Sequence, residues 1–155
     1  MPYTDIIPVK EVKRIKELLD SCGLPVEDIG EVYHCELYGL DYESDMVAVV
    51  GLQPLGSVAL LRSLAVSRDH RLNGIGARMV GFAESRASTI CVDQIYLLTI
   101  DAQNYFYKLG YRSVSRNVAP TAIVNTDQFS AVCPSSAILM VKNLQTSIVQ
   151  SSRKK

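Results

Sequence analysis

The chain has 155 residues, with 16 Lys and Arg balancing 16 Asp and Glu and 48% hydrophobic residues. That length suits one domain with a sizeable core, expected over residues 1–144. Zero formal charge without a basic stripe argues against a nucleic-acid partner, and the lack of a long apolar run or leader pattern argues for a cytoplasmic protein with no membrane partner.

In chain order, residues 3–7 read as a first strand stopped by Pro8. From Val9 the pattern turns helical, with Val12, Ile15, Leu18 and Leu19 on one face, Gly23 as C-cap and Pro25 as a stop. A short second helix is expected over residues 26–29. Residues 31–38 alternate as a strand, with a turn at Gly39-Leu40-Asp41. The valine-rich run 46–52 is a buried strand, and Gln53-Pro54-Leu55-Gly56 closes a hairpin to a strand over 57–66. A helix from Gly74 carries Ile75, Met79, Phe82 and Ala83 inward, with Arg78 and Arg86 outward. Residues 95–99 form a strand, and Asp101 is the expected N-cap of a helix through Lys108 that ends at Gly110. A strand from Tyr111, a helical turn after Pro120 and a last strand over 137–142 follow. The Ser/Gln/Lys-rich residues 145–155 are expected to be disordered.

The organising stretch joins the apolar strand to Arg71-Leu72-Asn73-Gly74-Ile75-Gly76 and then to a helix. Glycines let a ligand approach the backbone closely, and the first amides of a helix lack intrahelical acceptors, so the arrangement suits a pyrophosphate. The alternative is that two glycines merely let the helix pack on the sheet. A P-loop is excluded because Ala77-Arg78 follows Gly76, and a dinucleotide fingerprint because Met79 stands at its third glycine. What remains, R-x-x-G-x-G after Leu64-Ala65-Val66, resembles the acetyl-CoA motif of the GNAT N-acetyltransferase family. The resemblance implies a mixed, mostly antiparallel α/β sheet of six to seven strands flanked by helices. It also implies acetyl-CoA as co-substrate. Backbone at Leu64, Ala65 and Val66 would pair with the pantetheine arm, and residues from Arg71, Leu72, Asn73, Gly74, Ile75, Gly76 and Ala77 would hold the pyrophosphate.

A second segment, Ala102-Gln103-Asn104-Tyr105-Phe106-Tyr107-Lys108-Leu109-Gly110-Tyr111, resembles the family's closing motif A-x-x-x-Y-x-x-x-G-F. It places Phe106 beside the cofactor, where many members carry the tyrosine that protonates the leaving thiolate. Tyr105 and Tyr107 flank that position, each turned roughly 100° away on a helix. Thr99 stands in place of the usual Asn. No Asp or Glu occurs over residues 46–68, so the cofactor strand supplies no general base; Glu36 and His34 are the candidates, against a reading as ordinary surface groups.

Arg62 is the one charged residue over residues 46–66. Either its guanidinium meets an anionic acceptor group, or it points outward and reaches solvent along its stem. Ser63, beside it, joins the acceptor-side candidates. The segments around Leu61-Arg62-Ser63-Leu64, Ala119-Pro120 and residues 129–137 resemble the GNAT enzymes encoded with arsenic-resistance genes, the ArsN type. More distantly they resemble the acetyltransferase domain of glutamate N-acetyltransferases. Both imply a small amino-acid-like amine acceptor with an acidic end, with Thr99, Ser135 and Ser136 near it. Cys22, Cys35, Cys91 and Cys133 lack C-x-x-C spacing and only His34 and His70 accompany them, so no metal is expected and the thiols are read as reduced and mostly buried. Cys133 has no activating neighbour and reads as a packed loop residue. The expected function is acetyl transfer from acetyl-CoA to a small amine, the rival being a non-catalytic acyl-CoA-binding sensor of the same fold. A homodimer is left open.

Overall fold

The computed structural model describes residues 3–24, 26, 35–132 and 136–144. The strands β1 (Ile7–Pro8), β2 (Glu36–Tyr42), β3 (Asp45–Leu55), β4 (Val58–Val66), β5 (Gln94–Thr99), β6 (Arg112–Val114) and β7 (Ile138–Asn143) form one sheet in the order β1-β2-β3-β4-β5-β7-β6. Only β4 and β5 run parallel; every other pair is antiparallel. Helices α1 (Val12–Ser21), α2 (Ile75–Thr89), α3 (Gln103–Lys108) and α4 (Thr121–Val124) flank it. No helix among the described residues is long and apolar enough to cross a membrane.

Alternation along the strands sends side chains to two separate layers. On one face Tyr38, Leu40, Val50, Leu52, Ala59, Leu61, Ile95 and Leu97 pack against Ile75, Met79, Val80, Ala83 and Ala87 of α2 and Phe106 of α3. On the other, Val49 and Ala65 meet Ile15, Leu18 and Leu19 of α1, while Val58, Leu60, Tyr96 and Leu139 meet Ile123 of α4. The α1 stripe read from the sequence is therefore the buried one, except that Val12 at its start is 36% exposed. Helix α1 ends as its glycine predicts: the Gly23 amide donates to the Asp20 carbonyl and the Leu24 amide to Leu19.

Several boundaries differ from the sequence reading. The first strand is not residues 3–7 but Ile7–Pro8 on the sheet edge, where a proline's missing N–H costs no ladder bond; Tyr3 makes an isolated bridge to Tyr42. Gly39-Leu40-Asp41 is not a turn. Strand β2 continues through it because a Cβ at Gly39 would lie 2.6 Å from Val9, so the glycine admits a neighbouring side chain. The turn comes at Glu43 and Ser44, both with positive φ. Strand β3 runs through Pro54 to Leu55, so the hairpin turns at Gly56 and Ser57. Asp101 is not the cap of α3: Ala102 holds that position, and its amide donates to Thr99 Oγ1 at 3.0 Å. The thiols are not mostly buried either. Cys22 and Cys35 are half-buried and Cys91 is exposed, in a left-handed conformation just past α2. The expected helix at 26–29, the start of the strand at 31–38 and the tail 145–155 lie outside the described residues, Val26 apart.

Candidate active site

Strand β4 changes character at its middle. Val58, Ala59 and Leu60 pair with Gln94, Ile95 and Tyr96 of β5, and there the pairing stops. Strand β5 continues to Thr99 alongside β7, while β4 continues to Val66 alongside β3 only. The two parallel strands thus splay. On the β3 side the register steps between Val49 and Gly51, so that Ser63 and Leu64 oppose Val50 alone, and Ser63 takes φ 57°. This is a β-bulge, which bends and re-aims a strand. A left-handed serine costs roughly 1–2 kcal/mol, which the flanking pairs hold in place.

Alternation decides where Arg62 points: Leu60, two residues before it, lies on the α4 face, and the bulge re-aims only the residues that follow. Leu61 and Leu64 both belong to the α2 layer and Ala65 to the α1 layer, which leaves Arg62 on the α1 and α4 face. Its stem lies over Gly51, where a Cβ would come 3.2 Å from Arg62 Cγ. The side chain is only 4% exposed and its Nε donates to Ser63 Oγ at 3.2 Å. The outward-pointing reading of Arg62 is excluded.

Beyond Val66 the chain makes a 3-10 turn, Arg68–His70, tied to the sheet by the Tyr3 hydroxyl at 2.9 Å from His70 Nδ1 and by Tyr42 against the same ring. Arg71 folds back: its Nε donates to the Val66 carbonyl at 2.9 Å, and Cys22 Sγ approaches the same oxygen at 3.6 Å. Its guanidinium thus braces the end of β4, although the residue stays exposed. Leu72, with φ 70°, is fully exposed, and Asn73 is exposed. Gly74 is the N-cap of α2 with φ 74°, and no side chain caps that end. Ile75 is buried, while Gly76 and Ala77 face the opening. The amides of the first turn are therefore uncapped, beside a positive helix end and the unpaired edge of β4, an arrangement able to take an extended ligand ending in an anion.

Helix α3 closes the other side. Phe106 is 7% exposed, packed edge-on to Tyr111 in the α2 core. Tyr105 instead reaches across to α2: a Cβ on Gly76 would collide with its hydroxyl. Burial pushes the Tyr105 phenol upward. Thr99 is buried, its oxygen taken by the Ala102 amide. The sequence reading passed over Tyr105; the available signal was the glycine at position 76, which leaves space for a ring from α3.

Glu36 is placed elsewhere. Arg86 of α2 binds both its oxygens, at 2.9 and 3.1 Å, and the Tyr38 hydroxyl donates to it at 2.6 Å. The Arg86 hydrogen bonds hold its carboxyl below the usual range, while burial pushes Tyr38 up to about 12. It sits with Tyr38 on the α2 face, opposite to Arg62. Ser136 is exposed. His34, Cys133 and Ser135 lie outside the described residues.

A family model described as "Acetyltransferase (GNAT) family" matches residues 11–111 of the chain. An uncharacterized N-acetyltransferase of Chlorobaculum tepidum is 33% identical over 66 residues, 43% of this chain and 42% of that protein, so the match spans less than half of the relative. An acetyltransferase of the GNAT family from Staphylococcus aureus superposes with TM-score 0.76 at 19% identity, over 91% of this chain and 99% of the other. N-acetylglutamate synthase from Neisseria gonorrhoeae, complexed with coenzyme A and N-acetyl-glutamate, superposes with TM-score 0.74 at 15% identity, over 92% of this chain and 36% of the other. At such identities the structural likenesses speak for the fold. The match of the family model over residues 11–111, about two thirds of the chain, establishes that this chain belongs to the acetyltransferase (GNAT) family.

Proposed function

We propose that the protein transfers the acetyl group of acetyl-CoA to the amine of a small, amino-acid-like acceptor with an acidic end. The observation that carries this is Arg62: a buried guanidinium beside the splay, on the face away from α2. A buried charge of this kind favours an anion, and a planar fork matches a carboxylate. Ser63, whose hydroxyl accepts from Arg62 Nε, stands beside it, and Thr99 ends the strand that splays from β4. The superposition on a synthase crystallised with N-acetyl-glutamate is compatible with such an acceptor. The ArsN-type resemblance points to an arsenic-containing amino acid as one member of that class, acted on in the cytoplasm.

In this reading the pantetheine arm runs along the unpaired edge of β4 at Leu64 and Ala65, and the pyrophosphate meets amides from the turn and the start of α2. Val66, its carbonyl already held by Arg71, contributes through its side chain or amide. The neutral amine attacks the thioester carbonyl and forms the C–N bond. The oxyanion is stabilised by backbone N–H near Ala65 and Val66, the C–S bond then breaks, and the thiolate takes a proton. With Glu36 ion-paired on the opposite face, the amine proton leaves through water. With Phe106 in the core, that position supplies no proton to the thiolate.

The test is CoA release over a panel of amino acids, acidic and arsenic-containing ones included, run beside acetyl-CoA calorimetry. Turnover confined to acceptors with an acidic end is expected. Binding of acetyl-CoA without turnover of any amine would favour the sensor alternative.

A further inference from the structure

Helix α3 carries three aromatic side chains in a row, and the structure sends them in three directions. Phe106 enters the core, Tyr107 is 69% exposed, and Tyr105 leans over the start of α2. The point where a Gly76 Cβ would stand meets the Tyr105 hydroxyl and, 3.8 Å away, Val66 Cγ2. The hydroxyl therefore sits at the junction where β4 ends and α2 begins, over the uncapped first turn. It makes no hydrogen bond to any described residue, and its only ring partner is Phe106. A hydroxyl with no hydrogen-bond partner among the described residues, on a ring 41% exposed and leaning beside free helix amides, is poised to donate to whatever anion those amides receive.

We propose that Tyr105 is an acetyl-CoA-binding residue whose hydroxyl donates a hydrogen bond to the pyrophosphate at the start of α2. The proposal rests on the pyrophosphate lying at that turn. It also gives Gly76 a second reason to lack a side chain: the position must admit both the anion and the phenol that binds it. Burial raises the phenol's pKa, so the group keeps its proton and remains a donor over the working pH range. Its location decides against a role as acid to the leaving thiolate. The hydroxyl lies past the end of β4, against the second residue of α2, whereas the thioester lies upstream along the strand.

The experiment compares wild type, Tyr105→Phe and, as a control on the same helix, Tyr107→Phe. Acetyl-CoA affinity is measured by calorimetry, and kinetics are measured with acetyl-CoA and with S-acetylpantetheine, which has no pyrophosphate. Tyr105→Phe should weaken acetyl-CoA binding and raise its KM by on the order of tenfold, the loss of one hydrogen bond to a charged group. kcat should stay within about twofold, kcat/KM for S-acetylpantetheine should be unchanged, and Tyr107→Phe should match wild type throughout. Unchanged acetyl-CoA affinity in Tyr105→Phe would overturn the proposal. So would a fall in kcat with unchanged affinity and a lost basic limb of the pH profile, which would make Tyr105 the acid instead. If Gly76→Val leaves wild-type affinity intact, the pyrophosphate is not at this turn, and the underlying reading fails separately.

Discussion

The two halves of β4 are built from similar residues and do different work. From Val58 to Leu60 the strand has neighbours on both edges, and its side chains alternate into two filled layers. From Leu61 to Val66 it keeps β3 but loses β5, carries the bulge at Ser63 and buries a guanidinium. The difference teaches that stability and chemistry share one strand by division of its length. The closed half fixes where the open half begins, and the open half keeps an edge free for a ligand.

The strongest break of this division should come at Gly76. A valine there would collide with Tyr105 and cover the first amides of α2, so acetyl-CoA affinity should fall roughly 100-fold or more, the loss of at least two charge-assisted contacts. Calorimetry on the folded variant checks it, and an unchanged affinity would move the cradle away from α2. The converse test is Leu60→Ala in the closed half. Leu60 is 1% exposed, so about 2–5 kcal/mol of stability should be lost in urea titrations, with acetyl-CoA affinity preserved wherever the protein is folded. A parallel loss of affinity would show that the halves are not separable.

Arg62 sharpens the contrast within the open half. Both Arg62→Lys and Arg62→Ala should lower acceptor kcat/KM by on the order of 10- to 100-fold, since an ammonium cannot reproduce the two-donor fork. Acetyl-CoA affinity should hardly change. Wild-type acceptor kinetics in both variants would make Arg62 a packing residue, and loss of acetyl-CoA binding in both would assign it to the cofactor side. The smallest effect is expected at Glu36. Its folded pKa lies below the unfolded value, so its contribution to stability is present above the unfolded pKa and is lost as pH falls through the folded one. Wild type should therefore be modestly more stable than Glu36→Gln at neutral pH, with the gap closing in acid. Turnover at neutral pH should be unaffected; a large fall in kcat would return Glu36 to the role of base.

The features legible in the sequence were those set by local chemistry. Periodicity placed α1 and α2, valine content placed β3, and the glycine turn marked the start of α2, where Gly74 takes φ 74°. What escaped was set by partners far along the chain. Gly39 and Asp41 have the composition of a turn, but Val9 packs on the glycine and Arg14 binds Asp41 at 2.9 Å, so the strand runs on. Asp101 has the composition of a cap, but the Thr99 hydroxyl reached the Ala102 amide. The sequence left Arg62 with two directions; what chooses between them is that the face it shares with Leu60 is covered by α1 and α4 and not open to solvent. Tyr105 was read only as a ring flanking Phe106 for the same reason, since its partner surface lies on another helix.

The sheet order also bears on how the chain is made. Strand β7, among the last described residues, inserts between β5 and β6 and pairs with both, while Lys142 within it binds Glu84 of α2 at 3.0 Å and the Leu109 carbonyl at 2.9 Å. During synthesis, five strands can assemble while β5, with its Ile95-Tyr96-Leu97-Leu98 run, still presents an open apolar edge. Until residues 138–143 leave the ribosome, that edge is a template for the wrong partner. Closure then depends on contacts of long sequence separation, which form slowly. The nascent protein is thus most vulnerable to aggregation just before β7 arrives, and a chaperone would have most to protect at β5.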